Sequence, residues 1–260
     1  MIHRMQNLNN WHVFYILVFI TLATSIGSGF LNPELADRAW WSGFLQNFST
    51  EMMGAIATFA LFELVIEARK RTEDKQEAID KEKTTLIIQM GSKDNATAIT
   101  AVEQLHMNGW LEDGSLKGMV SDRPNLSDAH LWKANLSDVE WFEANLSGAN
   151  LGEANLSDAH LFGSNLSGAE IDNANLSGAN LSEANLKHAD LSGANLSGTN
   201  LKHANMFSVQ CDENTTLPDS TKWTVETHWS QFGAVVIEYV EEWQAYRKEQ
   251  GLDKKIERSI

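Results

Sequence analysis

Residues 144–163 read ANLSG ANLGE ANLSD AHLFG, and this five-residue word runs with few departures from Asn125 to Met206. Its central beat is carried by Leu126, Leu131, Leu136, Trp141, Leu146, Leu151, Leu156, Leu161, Leu166, Ile171, Leu176, Leu181, Leu186, Leu191, Leu196, Leu201 and Met206. A small residue sits two places earlier, as at Ala129, Ala134, Ala144, Ala149 and Ala154. A period of five suits neither a helix nor an alternating strand. It suits a chain that turns a corner every five residues, with each beat side chain pointing into a tube and the small residue filling space near the corner. Successive coils then stack about 4.8 Å apart and share backbone hydrogen bonds. Cys211 keeps the beat and is expected as a small core residue, and Leu116 keeps it upstream with the polar Ser121 between. Fixed-period repetition is a way of building surface, so an active site is not implied.

The A-(N/D)-L-x-x word, seen at Ala144-Asn145-Leu146 and Ala189-Asp190-Leu191, resembles the pentapeptide-repeat family. The resemblance implies a right-handed quadrilateral β-helix with four pentapeptides per coil. Five coils at strand spacing stand roughly 24 Å tall. It also implies a second functional reading, since some family members resemble B-form DNA in shape and charge and inhibit DNA gyrase.

Within the word lies a longer pattern. The residue before the beat is asparagine at 125, 135, 145, 155, 165, 175, 185, 195 and 205, every tenth position, while the intervening positions vary. With four repeats per coil, two opposite sides carry Asn ladders able to hydrogen-bond from coil to coil. The other two sides carry the variety and are where recognition is expected. One bears His130, Trp132 and Lys133, the other Glu140, Phe142, Glu143, His160 and Phe162. Exposed aromatic rings are unusual on such a surface. Trp132, Glu140, Phe142, His160 and Phe162 are therefore the candidate protein-contact residues. Phe142 and Phe162, twenty residues apart, are expected to stack, with a flanking helix as the alternative cover for all three rings.

Upstream, residues 1–68 read as a transmembrane hairpin. Trp11–Leu31 holds no charged residue and is long enough to span about 30 Å. Phe48–Ile66 is the second span, with Glu51 at one end and Glu63 near the other, both placed for interfacial exposure. The segment between them, 32–47, carries Trp40 and Trp41 for the interfacial belt. Arg69-Lys70-Arg71 after the second span and Arg4 before the first favour cytoplasmic termini. The competing reading is a signal peptide, with small residues at Ala23, Ser25 and Gly27, but the apolar run is longer than a signal core. Either way the repeats lie in the cytoplasm, as an integral protein of the bacterial plasma membrane.

Residues 69–112 read as a charged helical stalk and a capping helix. Gly91 ends the first, and Ser92 or Asp94 caps a second whose Ala98, Val102 and Leu105 share one face. The β-helix occupies 113–216. Residues 217–260 supply a closing segment and an amphipathic helix in which Phe232, Val236, Val240, Trp243 and Tyr246 fall three or four apart.

Composition narrows function further. A net charge of −15 disfavours direct binding to nucleic acid. The single cysteine excludes an intrachain disulfide and fits a reducing compartment. No histidine pattern predicts a metal, and no phosphate loop, dinucleotide fingerprint or nucleophile elbow is present. Eight Asn-Leu-Ser triplets match the glycosylation sequon but are by-products of the repeat. No catalytic residue, cofactor or metal is expected. The expected function is a non-enzymatic, membrane-tethered scaffold whose partners are the bilayer and another protein, with self-association a further option. The alternative is a DNA mimic acting on an enzyme such as gyrase.

Overall fold

The computed structural model describes residues 38–252, and the chain divides into two compact units between Ile79 and Asp80. The first expected span, 11–31, lies outside the described residues. Helix α1 runs unbroken from Arg38–Met90. The linker expected up to Asn47 is therefore helical from Arg38 onward. Its sequence, RAWWSGFLQN, holds no proline to stop propagation. Among the described residues one helix is long and apolar enough to cross a membrane, with an 18-residue window of mean hydropathy 1.4. Leu45, Met53, Leu61, Leu64 and Val65 on it are each at least 60% exposed. The charged stretch that follows is laced by i,i+4 pairs, Arg71–Glu67 at 2.7 Å and Arg69–Glu73 at 3.7 Å.

In the second unit α1 ends with Leu86 and Met90 buried. Gly91 is needed at the turn, because a Cβ there would lie 2.7 Å from Ser121 Oγ. Helix α2, Asn95–Met107, starts at Asp94, whose carboxylate accepts from Thr97 N at 2.9 Å. It buries Ala98, Ala101, Val102 and Leu105 against the first coil. The stack is joined to this cap by backbone bonds, Asn125 N to Ser92 O and Asn135 N to Leu111 O, both 2.8 Å.

From Val120 the tube is a ladder of parallel bridges with a spacing of twenty residues, such as Asn125↔Asn145, His130↔Asn150, Asn135↔Asn155 and Glu140↔His160. Four sides per coil follow directly. These are single-residue bridges: no regular strand is present among the described residues, although the expected architecture is called a β-helix. The reason is local. Each repeat closes a tight turn from the beat to the residue three on, as in Ala134 N to Leu131 O at 3.0 Å. Every fifth residue from Gly118 to Ser208 then holds φ between 52° and 72°. That leaves too little extended backbone per side for a strand. A positive φ at the third turn position is type II geometry, which glycine meets most cheaply. Many of these corners nonetheless carry Asp, Glu, Lys, Asn, His or Ser. An L side chain there costs roughly 1–2 kcal/mol. The offset comes from coil-to-coil bonding on each side, as in Leu131 N to Asn150 O at 2.8 Å, Lys133 N to Gly152 O at 2.9 Å and Asn150 N to Ala129 O at 2.9 Å.

All beat residues from Leu126 to Met206 are at most 1% exposed, Trp141 among them. The small positions are mostly alanine, with Val139 buried at one and polar residues that bond to backbone at two others: Ser164 Oγ to Leu161 O, and Thr199 Oγ1 to Leu176 O at 2.8 Å. The Asn ladders run on two opposite sides, with amide steps from Asn145 to Asn125 at 2.9 Å and from Asn175 to Asn155 at 3.2 Å. Each ladder oxygen also accepts the N–H two residues on, as Asn165 Oδ1 does from Ser167 N at 3.3 Å.

Cys211 departs from expectation: it is only partly buried against the core. Gln210 before it still pairs with Asp190 at the regular spacing, and one extra residue enters after it, since Asn195 pairs with Thr216 rather than with residue 215. Leu217 then takes up the buried position at 2% exposure. Asp212 holds the insertion, its Oδ1 accepting from Gly193 N at 2.7 Å, Asn214 N at 3.0 Å and Thr215 N at 3.0 Å. The amide of Asn214 and the Gly193 N–H are the leading groups that pull its carboxyl down to about 2. A depressed folded-state value means stabilisation present above the usual value of 3.8 and lost as pH falls toward 2. The amides of Gly193, Asn214 and Thr215 are therefore expected to lose exchange protection over that window before the central coils do. Uniform loss along the tube would refute this role.

The C-terminal segment also departs from expectation. Phe232 closes a 3-10 helix, Trp229–Phe232, and the α-helix is confined to Val240–Glu249 (α3). Between them Val235 pairs in parallel with Asn205. The β-branched run Val235-Val236-Ile237 favours extended backbone over helix. Open hydrogen-bonding groups on the last coil receive it, with Met206 N donating to Val235 O and Val235 N to Ala204 O, both at 2.8 Å.

Candidate functional site

Side chains one and two places past each beat stand on the corners of the tube, so the bridge spacing sets which of them share a side. Glu140, Phe142, His160 and Phe162 come together on one side. Trp132 stands half a coil away, on the opposite side. Phe142 and Phe162 are half-buried and His160 is exposed. Phe142 does not stack on Phe162: its ring partner is His160, with centroids 6.2 Å apart and planes tilted by 50°. The outward-pointing bridge residue of the lower coil lies closer to the ring than the next corner does. Beside the rings Arg123 Nε meets Glu143 Oε2 at 2.6 Å.

Opposite, Trp132 is 41% exposed and its indole lies over Gly152, where an added Cβ would stand 3.2 Å from Cδ1. Lys133 Nζ sits 4.0 Å from the ring centroid and 3.5 Å from Glu153 Oε2. The last turn of α2 flanks this ring. Glu103, His106, Met107, His130 and Trp132 surround an open hollow of about 460 Å³. The helix thus borders the tryptophan without covering it.

Farther down the side that holds Phe142 and Phe162, α3 is docked. His203 Nδ1 and Tyr246 Oη are 2.8 Å apart, and Arg247 lies 3.6 Å from Glu183. Arg247 also stacks on Trp243 at 5.2 Å. Burial, and then the charge of Glu183, push the Tyr246 phenol above its ordinary value. Sequence reading missed this seat. The spacing of Trp243 and Tyr246 announced an amphipathic face, but Glu183 reads like any other corner residue.

Nothing among these groups assembles chemistry. Cys211 has its thiol pushed up to about 12, chiefly by burial and further by Asp190 and Asp212, which makes it a poor nucleophile. Among the described residues no group of three or more His, Cys, Asp or Glu is placed to hold a metal ion.

The family model for pentapeptide repeats matches eight copies, over residues 142–178 and 179–206. Among solved structures, the chain is similar to a pentapeptide repeat protein from the Arabidopsis thaliana thylakoid lumen, with 29% identity and a TM-score of 0.32 over 39% of this chain and 74% of that one. A pentapeptide repeat protein from the cyanobacterium Cyanothece is 38% identical over 38% of this chain and 63% of that one, with a TM-score of 0.23. QnrB1, a plasmid-mediated fluoroquinolone resistance protein, is 14% identical over 55% of this chain and 92% of that one, with a TM-score of 0.20. No curated protein matches the chain. The eight matched copies are pentapeptide repeats, set here in coils of four five-residue sides.

Proposed function

We propose that this protein is a non-enzymatic contact module, tethered to a membrane by α1 and the segment before it, that presents the repeat tube to a protein partner in the cytoplasm. The observation that carries the reading is the cluster of Phe142, His160 and Phe162 on a tube faced elsewhere, Trp132 on the opposite side apart, mostly with Asn, Ser, Gly and charge. Tethering is supported by the exposed apolar stretch of α1 and by Arg69, Lys70 and Arg71 directly after it. Anchor and contact surface lie in separate units of the chain, so each can be tested alone.

The DNA-mimic alternative is less well supported by charge. Between residues 124 and 211 there are ten acids and three lysines. Of those acids, Asp138, Glu143, Glu153 and Glu183 already face Lys117, Arg123, Lys133 and Arg247. Two sides are given over to Asn ladders, whereas duplex DNA carries about one negative charge per 1.7 Å of its axis.

The full-length chain is expected to stay in the pellet after an alkaline carbonate wash, and a reporter fused at Gly114 to behave as cytoplasmic. Release by the wash, or export of the reporter, would sink the tethering. A photo-crosslinking residue at Phe162 is expected to give a discrete protein adduct in native membranes, and a residue at Ser177 on an Asn-ladder side is not. Equal labelling from both positions would remove Phe162 from the contact surface.

A further inference from the structure

The side of the tube that bears Phe142 and Phe162 is shared with a helix of the chain's own. One coil below Phe162 and Gly163 stand Ser182 and Glu183. Glu183 is 7% exposed and pairs with Arg247 of α3 at 3.6 Å, and a coil lower His203 meets Tyr246 at 2.8 Å. The backbone leading into α3 is tied to the tube as far as Ile237, which exchanges two bonds with the side chain of Asn205, at 3.1 and 2.9 Å. Lys187 Nζ donates to the carbonyl of Glu238. From there on the contacts named are between side chains.

Helix α3 is poorly equipped to hold this place. It has ten residues, whereas an isolated helix needs about 12–15 to persist in water. Its N-cap, Tyr239, gives the first turn no side-chain bond, and none of the residues 241–249 is buried. The indole Nε1 of Trp243 is buried without a hydrogen-bond partner, which works against the docked state. Elements with so few buried groups are the first parts of a fold to open.

The scale of the tube gives this a consequence. Successive coils lie about 4.8 Å apart. Two packed helices need about 8–10 Å between their axes. A partner element of helical width seated over Phe162 therefore overlaps the level where Arg247 meets Glu183, and one seated over Phe142 does not. We infer that α3 is a displaceable cover on the contact side. Docked, it limits access to the level of Phe142. Released, with the hinge after Glu238, it opens Phe162 and Glu183 together. Partner binding at Phe162 and docking of α3 then exclude each other, and the partner's apparent affinity scales with the undocked fraction. The inference rests on the contact-module reading and adds its regulation.

The test compares the full chain with Arg247→Glu, Glu183→Arg and the double reversal, which restores the pair with its signs exchanged. Arginine and lysine already occupy equivalent corners at Arg123 and Lys133, with φ of 53° and 59° against 59° at Glu183, so the reversal suits the backbone. The photo-adduct from Phe162 in native membranes is expected to rise at least about threefold in either single variant, as the competing docked state is lost. In the double variant it should return to the parental yield, an outcome that direct repulsion of a partner by a new charge would not give. Hydrogen exchange in detergent reads the cover without any partner. The amides of Trp243 and Gln250, bonded to Tyr239 O and Tyr246 O, should exchange faster in the single variants, while Asn165 N, bonded to Ala144 O, stays protected. Faster exchange with an unchanged or lower adduct yield would overturn the cover alone, as would exchange at α3 that ignores both reversals. No Phe162 adduct in any of the four proteins would overturn the contact module and the cover with it.

Discussion

Replacing Leu156 by alanine is expected to lower the stability of the tube by about 2–5 kcal/mol, and Leu156→Asp to unfold the coils around it. Leu156 is fully buried, with Leu136 and Leu176 directly above and below on the same side. Those neighbours are held by backbone bonds such as Leu156 N to Asn175 O at 2.7 Å and Leu136 N to Asn155 O at 2.8 Å. A coil cannot slide inward to fill the hole without breaking these bonds, which places the expected loss toward the upper part of the range. Trp141 is itself buried in the tube and provides a fluorescence signal for urea melts of the full chain in detergent. A Leu156→Ala midpoint within error of the parent would mean that the interior is far more plastic than its packing suggests.

Asn165→Ala is expected to cost about 2–3 kcal/mol, more than the loss of one ordinary hydrogen bond. Its amide donates to Asn145 at 3.3 Å, and its oxygen accepts from Asn185 at 3.2 Å and from Ser167 N at 3.3 Å. Removing the side chain therefore interrupts the ladder in the middle and frees the turn N–H. Asn165→Asp keeps the acceptor but loses the donor to Asn145, and should fall between parent and alanine. Asn200→Ala serves as the control, because that residue lies on a variable side and gives up one ladder contact, to Asn180 at 3.2 Å, besides the turn N–H of Lys202 at 3.1 Å. If Asn165→Ala and Asn200→Ala shift the urea midpoint equally, the ladders have no special structural weight.

The tube was legible because its pattern is local: the beat, the small residue and the Asn every tenth place each report one position of one repeat. The C-terminal segment was less so. Phe232, Val236 and Val240 are spaced as a helix would be, yet Val235 is drawn out of that pattern by the unpaired edge of the last coil, a tertiary demand that spacing cannot display. The shift of register after Cys211 was hidden for a related reason. Periodicity counts residues and has no way to register that Asp212 absorbs one of them in a turn. On the candidate surface the sides were assigned from four repeats per coil. The partner of Phe142 was not, because the choice between Phe162 and His160 is a matter of side-chain reach.

The extra residue before Thr216 has a consequence for growth. A stack of identical coils offers the same edge at each new level, and such an edge is a template for another molecule. Here the last level is irregular. The side of Asn195 is offset by a residue at Thr216, which then pairs antiparallel with Lys222, and the side of Asn205 is occupied by Val235. At the other end Ser92 and Leu111 already hold the first coil's N–H groups. Neither terminus matches the other, so copies of this tube cannot continue one another head to tail. The structure that resembles a fibre segment most closely is thereby kept from becoming one.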